Sequence, residues 1–157
     1  MIYTDFKDFV AHIPDKGRLF GIDWGARRTG IAVSDESRGF VFPRGIIREQ
    51  GTRDKELVKK IIDLMTSENI VGIIVGLPVH VDGTDSDTTA KVREFANALA
   101  GQTDVPIGFT EENLTSVEAK EIIDGSRLTA CGSRLDSVAA GVILENAIAI
   151  IKRLKNV

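Results

Sequence analysis

The sequence predicts an α/β fold in which a mixed five-stranded sheet, with three antiparallel strands followed by parallel strands, is flanked by helices. Two observations lead to this fold class. The first 50 residues contain three short apolar runs separated by turns, whereas helical and strand-like segments alternate after Gly51. Such alternation is typical of parallel strands joined by right-handed crossovers. With 157 residues and 43% hydrophobic content, the chain can bury one core, so we expect a single domain over 1–157.

The first part of the chain predicts one helix and three strands. Apolar residues recur at helical spacing near the N-terminus, so a short helix is expected at about 3–13. Strand-like apolar runs follow at 18–23, 30–34 and 40–47. The GARRTG segment between the first two runs has the length and the glycines of a hairpin turn. These three strands should therefore form an antiparallel meander.

The remaining elements are expected to alternate between helix and strand. Periodicity predicts helices over 54–67 and 88–101, strands over 71–78 and 105–110, and closing helices over 116–123 and about 135–154. The last helix is apolar over much of its circumference, which indicates that it packs deeply.

The cysteine and histidine counts exclude several kinds of site. Cys131 is the only cysteine, so neither an internal disulfide nor a cysteine pair for zinc can form, and a reducing compartment fits best. His12 and His80 are the only histidines, which leaves a histidine-based zinc site with little support. The sequence has no export signal and no apolar run long enough to span a membrane, so a cytoplasmic location is expected.

The net charge of -3 argues against a nucleic-acid partner, because phosphate binding depends on clustered Lys and Arg. The charge distribution, however, is uneven. Residues 1–60 carry 12 of the 20 basic residues but only 9 of the 23 acidic residues. Two interpretations of this distribution therefore stay open. The basic residues form a local face that binds nucleic acid, or the charges do no more than solvate the surface.

Asp23 is the first candidate for chemistry. In GIDWGARRTGIAVSD it ends an apolar strand and precedes a turn whose glycines allow close approach of a ligand. An Asp that caps a turn through backbone N–H groups would give the same pattern, so both interpretations stay open. Arg27 and Arg28 beside it could offer guanidinium groups to phosphate, or could simply be solvated.

Two further acids follow later in the chain. In GFTEENLTSVEA, strand alternation sends the side chains of Glu111 and Glu112 to opposite faces, so only one is expected to reach a shared site. Thr115 and Glu118 have the spacing of a capping box, which gives both a structural role. No such pattern explains Glu112. In SRLDSVAAGVIL, Asp136 fits a helix cap, and this pattern alone favours the cap.

The loop in GLPVHVDGTDSDTT follows a strand and opens a helix, where backbone N–H groups can bind an anion. Its aspartates, Asp82, Asp85 and Asp87, are explained by the chemistry of a helix start. The loop itself is expected to contact substrate.

Four segments together resemble the YqgF (RuvX-like) family: GIDWGARRTGIAVSD, GIIVGLP followed by DGT, TEENLTSVEA, and LDSVAAGVIL, in the order and approximate spacing of that family. The family contains provisionally assigned Holliday-junction resolvases and nucleases that mature the precursor of small-subunit ribosomal RNA. The resemblance extends from Arg18 to about Leu154 and implies a ribonuclease H-like fold. It also implies that the family's three carboxylates correspond to Asp23, Glu112 and Asp136.

The resemblance implies a metal-dependent nuclease. Three converging carboxylates repel one another, and divalent cations with a preference for oxygen ligands, Mg²⁺ or Mn²⁺, relieve this repulsion. Two ions about 3.5–4 Å apart would activate water and stabilise the leaving oxygen. Asp23 would bridge the ions, and Glu112 and Asp136 would each complete the coordination of one. The expected substrate-binding residues are Arg27, Arg28, Asn113 and Thr115.

Two residues depart from the family's D-E-R-L-T-S motif. Glu111 stands in place of the first Asp, and Asn113 stands in place of the Arg. Loss of the arginine is expected to weaken phosphate contact at that point. This departure, together with the negative net charge, supports an alternative in which the chain is a non-catalytic nucleic-acid-binding domain in ribosome assembly or transcription.

The expected reaction is hydrolysis of phosphodiester bonds in structured RNA, at the 5′ end of pre-16S rRNA and in contact with pre-ribosomal particles. Cleavage of branched DNA as a Holliday junction resolvase is the alternative, and it would call for a dimer. The sequence leaves a monomer or a homodimer open. The strand-Asp-x-Gly start also resembles actin-like and sugar kinases, but those proteins clamp nucleotide between two such domains, and this chain has length for one.

Overall fold

The computed structural model describes residues 1–25, 28–48, 54–78, 87–112 and 135–155, and these form six strands and four helices. The strands are β1 (Ile2–Tyr3), β2 (Arg18–Asp23), β3 (Arg28–Ser34), β4 (Val41–Arg48), β5 (Ile70–Pro78) and β6 (Ile107–Glu112). The helices are α1 (Phe6–His12), α2 (Asp54–Glu68), α3 (Asp87–Ala100) and α4 (Leu135–Lys155).

All six strands form one mixed sheet with the order β1-β6-β5-β2-β3-β4. β2, β3 and β4 are an antiparallel meander, and β5 and β6 run parallel to β2. The predicted α/β fold, with antiparallel strands first and parallel strands after them, is confirmed. The parallel strands end at Asp23, Pro78 and Glu112, and we call this the carboxyl end of the sheet.

The sheet has one strand more than the five predicted. Ile2 and Tyr3 form β1, which pairs in parallel with β6. A strand of two residues is too short to produce a visible alternation, and the helical spacing of the next residues extended the predicted helix over it. α1 therefore begins later than predicted, at Phe6. It follows Asp5, whose side chain accepts a hydrogen bond from the backbone N–H of Lys7 at 2.9 Å as an N-cap.

The other described elements lie close to their predicted positions. β6 starts at Ile107 and reaches Glu112, so it is shifted by two residues toward the acidic pair. The helix predicted over 116–123 lies outside the described residues, as do His80, Cys131 and the loop predicted to contact substrate. Among the described helices, none is long and apolar enough to cross a membrane.

Helices cover both faces of the sheet, and strand alternation divides the core into two layers. In β2, Leu19 belongs to the layer packed against α1 and α4, whereas Phe20 and Ile22 belong to the layer packed against α2 and α3. The first layer includes Phe9, Ile74, Leu144 and Ile151, and the second includes Leu57, Ile61, Ile73, Val75, Phe95 and Leu99. Because side chains alternate between the two layers along each strand, the position of an acid in its strand determines which face of the sheet it occupies.

Candidate active site

Asp23 is the last residue of β2 and is half-buried at the carboxyl end of the sheet. It pairs with Gly30 of β3. A Cβ at Gly25 would overlap the carbonyl oxygen of Arg28, so the turn that follows Asp23 requires glycine at that position. The missing side chain therefore makes room for the backbone of Arg28, the first residue of β3.

Asp23 lies on the face of the sheet that α4 covers. It shares this face of β2 with Gly21 and Leu19, two and four residues earlier. Gly21 is the point at which α4 crosses β2: a Cβ there would lie 2.7 Å from Cβ of Leu144 and 2.8 Å from the carbonyl oxygen of Ala140. The close approach of helix and strand depends on the missing side chain.

Glu112 ends β6 at the same end of the sheet. It pairs with Pro78 of β5, the strand that separates β6 from β2. In β6 it shares a face with Gly108, where a Cβ would lie 2.6 Å from the ring of Phe9 in α1. Position 112 is therefore on the α1 and α4 face, like Asp23, whereas Glu111 belongs to the opposite face and is exposed.

α4 runs antiparallel to β2. Nζ of Lys155, at the end of α4, donates hydrogen bonds to the carbonyl oxygen of Ile13 at 2.8 Å and to Oδ1 of Asp15 at 2.9 Å. The hydrogen bond and the positive charge of Lys155 hold the pKa of Asp15 below its usual range. Ile13 and Asp15 precede the start of β2, so the C-terminal end of α4 lies at the beginning of that strand and its N-terminal end at the carboxyl end of the sheet.

This direction brings Asp136 toward the other two acids. Asp136 is the second residue of α4 and precedes Ala140 by four residues, about 6 Å along the helix axis. Asp23 lies two residues beyond Gly21, about 7 Å along the strand. Three elements distant in sequence therefore place Asp23, Glu112 and Asp136 at one end and on one face of the sheet.

The predicted site residues differ in how much of them the structure describes. Asp23 and Arg28 are described with their side chains, and Glu112 and Asp136 by their places in β6 and α4. Arg27, Asn113 and Thr115 lie outside the described residues. Among the described residues, no three His, Cys, Asp or Glu residues form a group that could hold a metal ion. Three carboxylates are nonetheless a donor set that fits Mg²⁺ or Mn²⁺, because both prefer oxygen ligands.

Two arginines occupy opposite positions in the hairpin of β3 and β4. Arg28, the exposed first residue of β3, pairs with Arg48, the last residue of β4. Arg28 is two residues from Gly30, the partner of Asp23, so it shares the face of that acid. Sequence analysis identified Arg28 but not Arg48, because the opposition of the two depends on a strand register that no local pattern specifies.

Trp24 supports the site from the other face, a role that sequence analysis did not assign. Its ring centroid lies 6.5 Å from that of Phe95 in α3. Its Nε1 is buried and has no hydrogen-bond partner within the described part of the chain. The contact with Phe95 packs α3 against the residue that follows Asp23. A tryptophan next to a candidate acid at a strand end is the sequence signal that could have identified this residue.

Known proteins resemble this chain in sequence and in fold. A family model described as "RuvX: Holliday junction resolvase" matches residues 17–149. Two similar curated relatives are provisionally named pre-16S rRNA nucleases. The relative from Ruegeria sp. is 33% identical over 160 residues, covering 99% of each chain. The relative from Rhodobacter capsulatus is 37% identical over 153 residues, covering 94% of this chain and 93% of the relative.

Solved structures show the same fold at much lower identity. The yeast mitochondrial Holliday junction resolvase superposes with a TM-score of 0.58 at 16% identity, covering 96% of this chain and 86% of its own. T. thermophilus RuvC in complex with a Holliday junction substrate superposes with a TM-score of 0.56 at 11% identity, covering 85% of this chain and 96% of its own. The predicted ribonuclease H-like fold is thereby confirmed.

Proposed function

Because the chain belongs to the RuvX family, we propose that it is a metal-dependent nuclease that processes the 5′ end of pre-16S rRNA. The observation that carries this proposal is the position of three acids. Asp23 ends β2, Glu112 ends β6 and Asp136 lies in the first turn of α4, all at the carboxyl end of one sheet. The names of the curated relatives support the choice of substrate.

The proposed mechanism assigns the three carboxylates to the binding of Mg²⁺ or Mn²⁺. A divalent cation bound there would lower the pKa of water and neutralise charge on the phosphate. Asp23, Glu112 and Asp136 contribute oxygen ligands from two strands and one helix, so the packing of α4 on the sheet sets their relative positions. Arg28 orients a substrate phosphate through its guanidinium group. Gly25 keeps the backbone after Asp23 close to that of Arg28, which holds this arginine beside the acid.

Holliday junction resolution is the second candidate function. The description of the family model favours it, because that description names this activity. Symmetrical cleavage of a four-way junction needs two active sites, so this function requires a homodimer. Both functions would use the same three carboxylates, and the substrate and the oligomeric state distinguish them.

The experiment is a cleavage assay on two substrates, a precursor RNA containing the 5′ end of 16S rRNA and a four-way DNA junction, each with and without Mn²⁺. The proposal predicts metal-dependent cleavage of the RNA near the mature 5′ end. Paired cuts in the junction by a dimer would favour the resolvase instead. Binding without cleavage of either substrate would contradict the nuclease and support a non-catalytic nucleic-acid-binding domain.

The variant Asp23→Asn tests the assigned site in the same assay. The substitution removes a metal-binding oxygen charge while keeping the size of the side chain. Loss of residues that merely orient metal ligands costs about 10- to 100-fold, so loss of a direct ligand should lower cleavage at least about a hundredfold. Circular dichroism and thermal melting check that the fold is retained. Unchanged cleavage by the folded variant would refute the role of Asp23.

A further inference from the structure

Arg48 is a residue at the candidate site that the mechanism above does not use. It is the last residue of β4, and its partner in the antiparallel ladder is Arg28. The register therefore places two arginines in directly opposite positions at the end of the hairpin. The oxygens of one phosphate group can accept hydrogen bonds from two guanidinium groups.

The strand register puts this arginine pair on the face of the candidate active site. Arg28 shares its face of β3 with Gly30 and Ala32, and Ala32 is buried in the layer packed against α1 and α4. Gly30 pairs with Asp23 on one side and with Ile46 on the other. Arg48, two residues beyond Ile46, therefore occupies the same face as Asp23.

The pair also lies at a distance suited to substrate binding. β4 is two strands from β2, about 10 Å away across the sheet, on the side opposite β6. Arg28 and Arg48 lie about 7 Å beyond the level of Asp23 along the strands. A nucleic-acid strand whose cleaved phosphate lies at Asp23 can thus extend toward β4 and bring a neighbouring phosphate to the two arginines.

We propose that Arg28 and Arg48 together form a phosphate-binding site, which holds the nucleic-acid backbone on the β4 side of the bond that is cleaved. This site rests on the proposed function, because its ligand is the backbone of the substrate. The site recognises the charge of the nucleic-acid backbone and not the base sequence, since phosphate contacts carry no direct sequence information. Arg48 is therefore a substrate-positioning residue.

The test measures equilibrium binding instead of cleavage. In an Asp23→Asn background with EDTA, the dissociation constants of a precursor 16S rRNA fragment and of a four-way DNA junction are measured over a range of salt concentrations. Arg48→Gln should weaken binding of both by about tenfold at low salt. It should also reduce the slope of log K against log salt by about one, the effect of losing one phosphate contact. Arg48→Lys, which keeps the charge, should retain most of the slope.

Arg153→Gln is the matched control, because it removes one exposed positive charge from the last turn of α4, at the opposite end of the molecule. The slope of log K against log salt for Arg153→Gln should equal that of the Asp23→Asn background protein. In a double-mutant cycle, the effects of Arg28→Gln and Arg48→Gln should not add, since both contact one phosphate. Thermal melting verifies that each variant is folded.

The outcomes separate this site from the nuclease proposal. If Arg48→Gln behaves like Arg153→Gln while the wild-type protein cleaves RNA, the arginine site is wrong and the nuclease stands. If Arg48→Gln reduces the slope but the wild-type protein cleaves neither substrate, the arginine site stands and the nuclease is wrong. Absence of binding to both nucleic acids would overturn the site.

Discussion

Glu111 and Glu112 are adjacent acids with different positions in the fold. β6 places Glu111 on the α2 and α3 face, where it is exposed, and assigns Glu112 to the face occupied by Asp23. The sequence could predict this division, because alternation within one strand is a local property. It could not decide whether Asp23 or Asp136 caps the backbone or faces a ligand, because either residue type satisfies both patterns. Only the common end and face of their elements favours the site.

The two glutamates provide a matched test of this assignment. Glu112→Gln should lower metal-dependent RNA cleavage at least about a hundredfold, for the reason given for Asp23. Glu111→Gln makes the same chemical change at the neighbouring position, and it should leave cleavage within about twofold, because exposed substitutions away from a site have small effects. Single-turnover rates with Mn²⁺ measure both. Equal losses in the two variants would show that strand alternation does not identify the functional acid.

At the level of elements, the crossing of α4 over β2 determines where the third acid lies. Periodicity predicted both elements nearly to their ends, because helical and strand spacings are local patterns. The antiparallel direction of α4 was beyond prediction, since it depends on contacts such as that of Lys155 with Asp15, which are distant in sequence. β1 was missed because two residues carry no detectable period. Sequence analysis did not identify Gly21, because a side chain is excluded at this position only by α4, which packs over it.

Gly21→Ala tests this crossing. The added Cβ would meet backbone and Cβ atoms of α4, which cannot move aside as the end of a flexible side chain can. We expect a loss of about 1–3 kcal/mol in the free energy of unfolding, measured by urea denaturation, and a lower cleavage rate in the folded variant because Asp136 is displaced. In the control Gly39→Ala, the nearest atom is Oγ of Ser37 at 3.4 Å, and the change should stay within about 0.5 kcal/mol. A Gly21→Ala protein as stable and active as wild type would contradict the close packing of α4.

For the whole molecule, the fold class was predictable because the order of helical and strand-like segments restricts how a sheet can be connected. The placement of the three acids at one end and on one face of the sheet was not predictable from spacing alone, since it follows from sheet order, strand register and helix direction together. The resemblance to a family supplied the choice of three acids, and the described strands and helix are compatible with it. That the chain is a single domain over 1–157 stays a prediction.

The proposed nuclease activity depends on Asp23, Glu112 and Asp136 sharing divalent cations. The most direct measurement is a crystal structure of the protein grown with Mn²⁺, with anomalous scattering used to locate the metal. We expect anomalous peaks at the carboxyl end of the sheet, with oxygen ligands from all three carboxylates, and loss of these peaks in Asp23→Asn crystals. Manganese bound elsewhere, or a well-ordered site in which any of the three side chains points away from the other two, would contradict it.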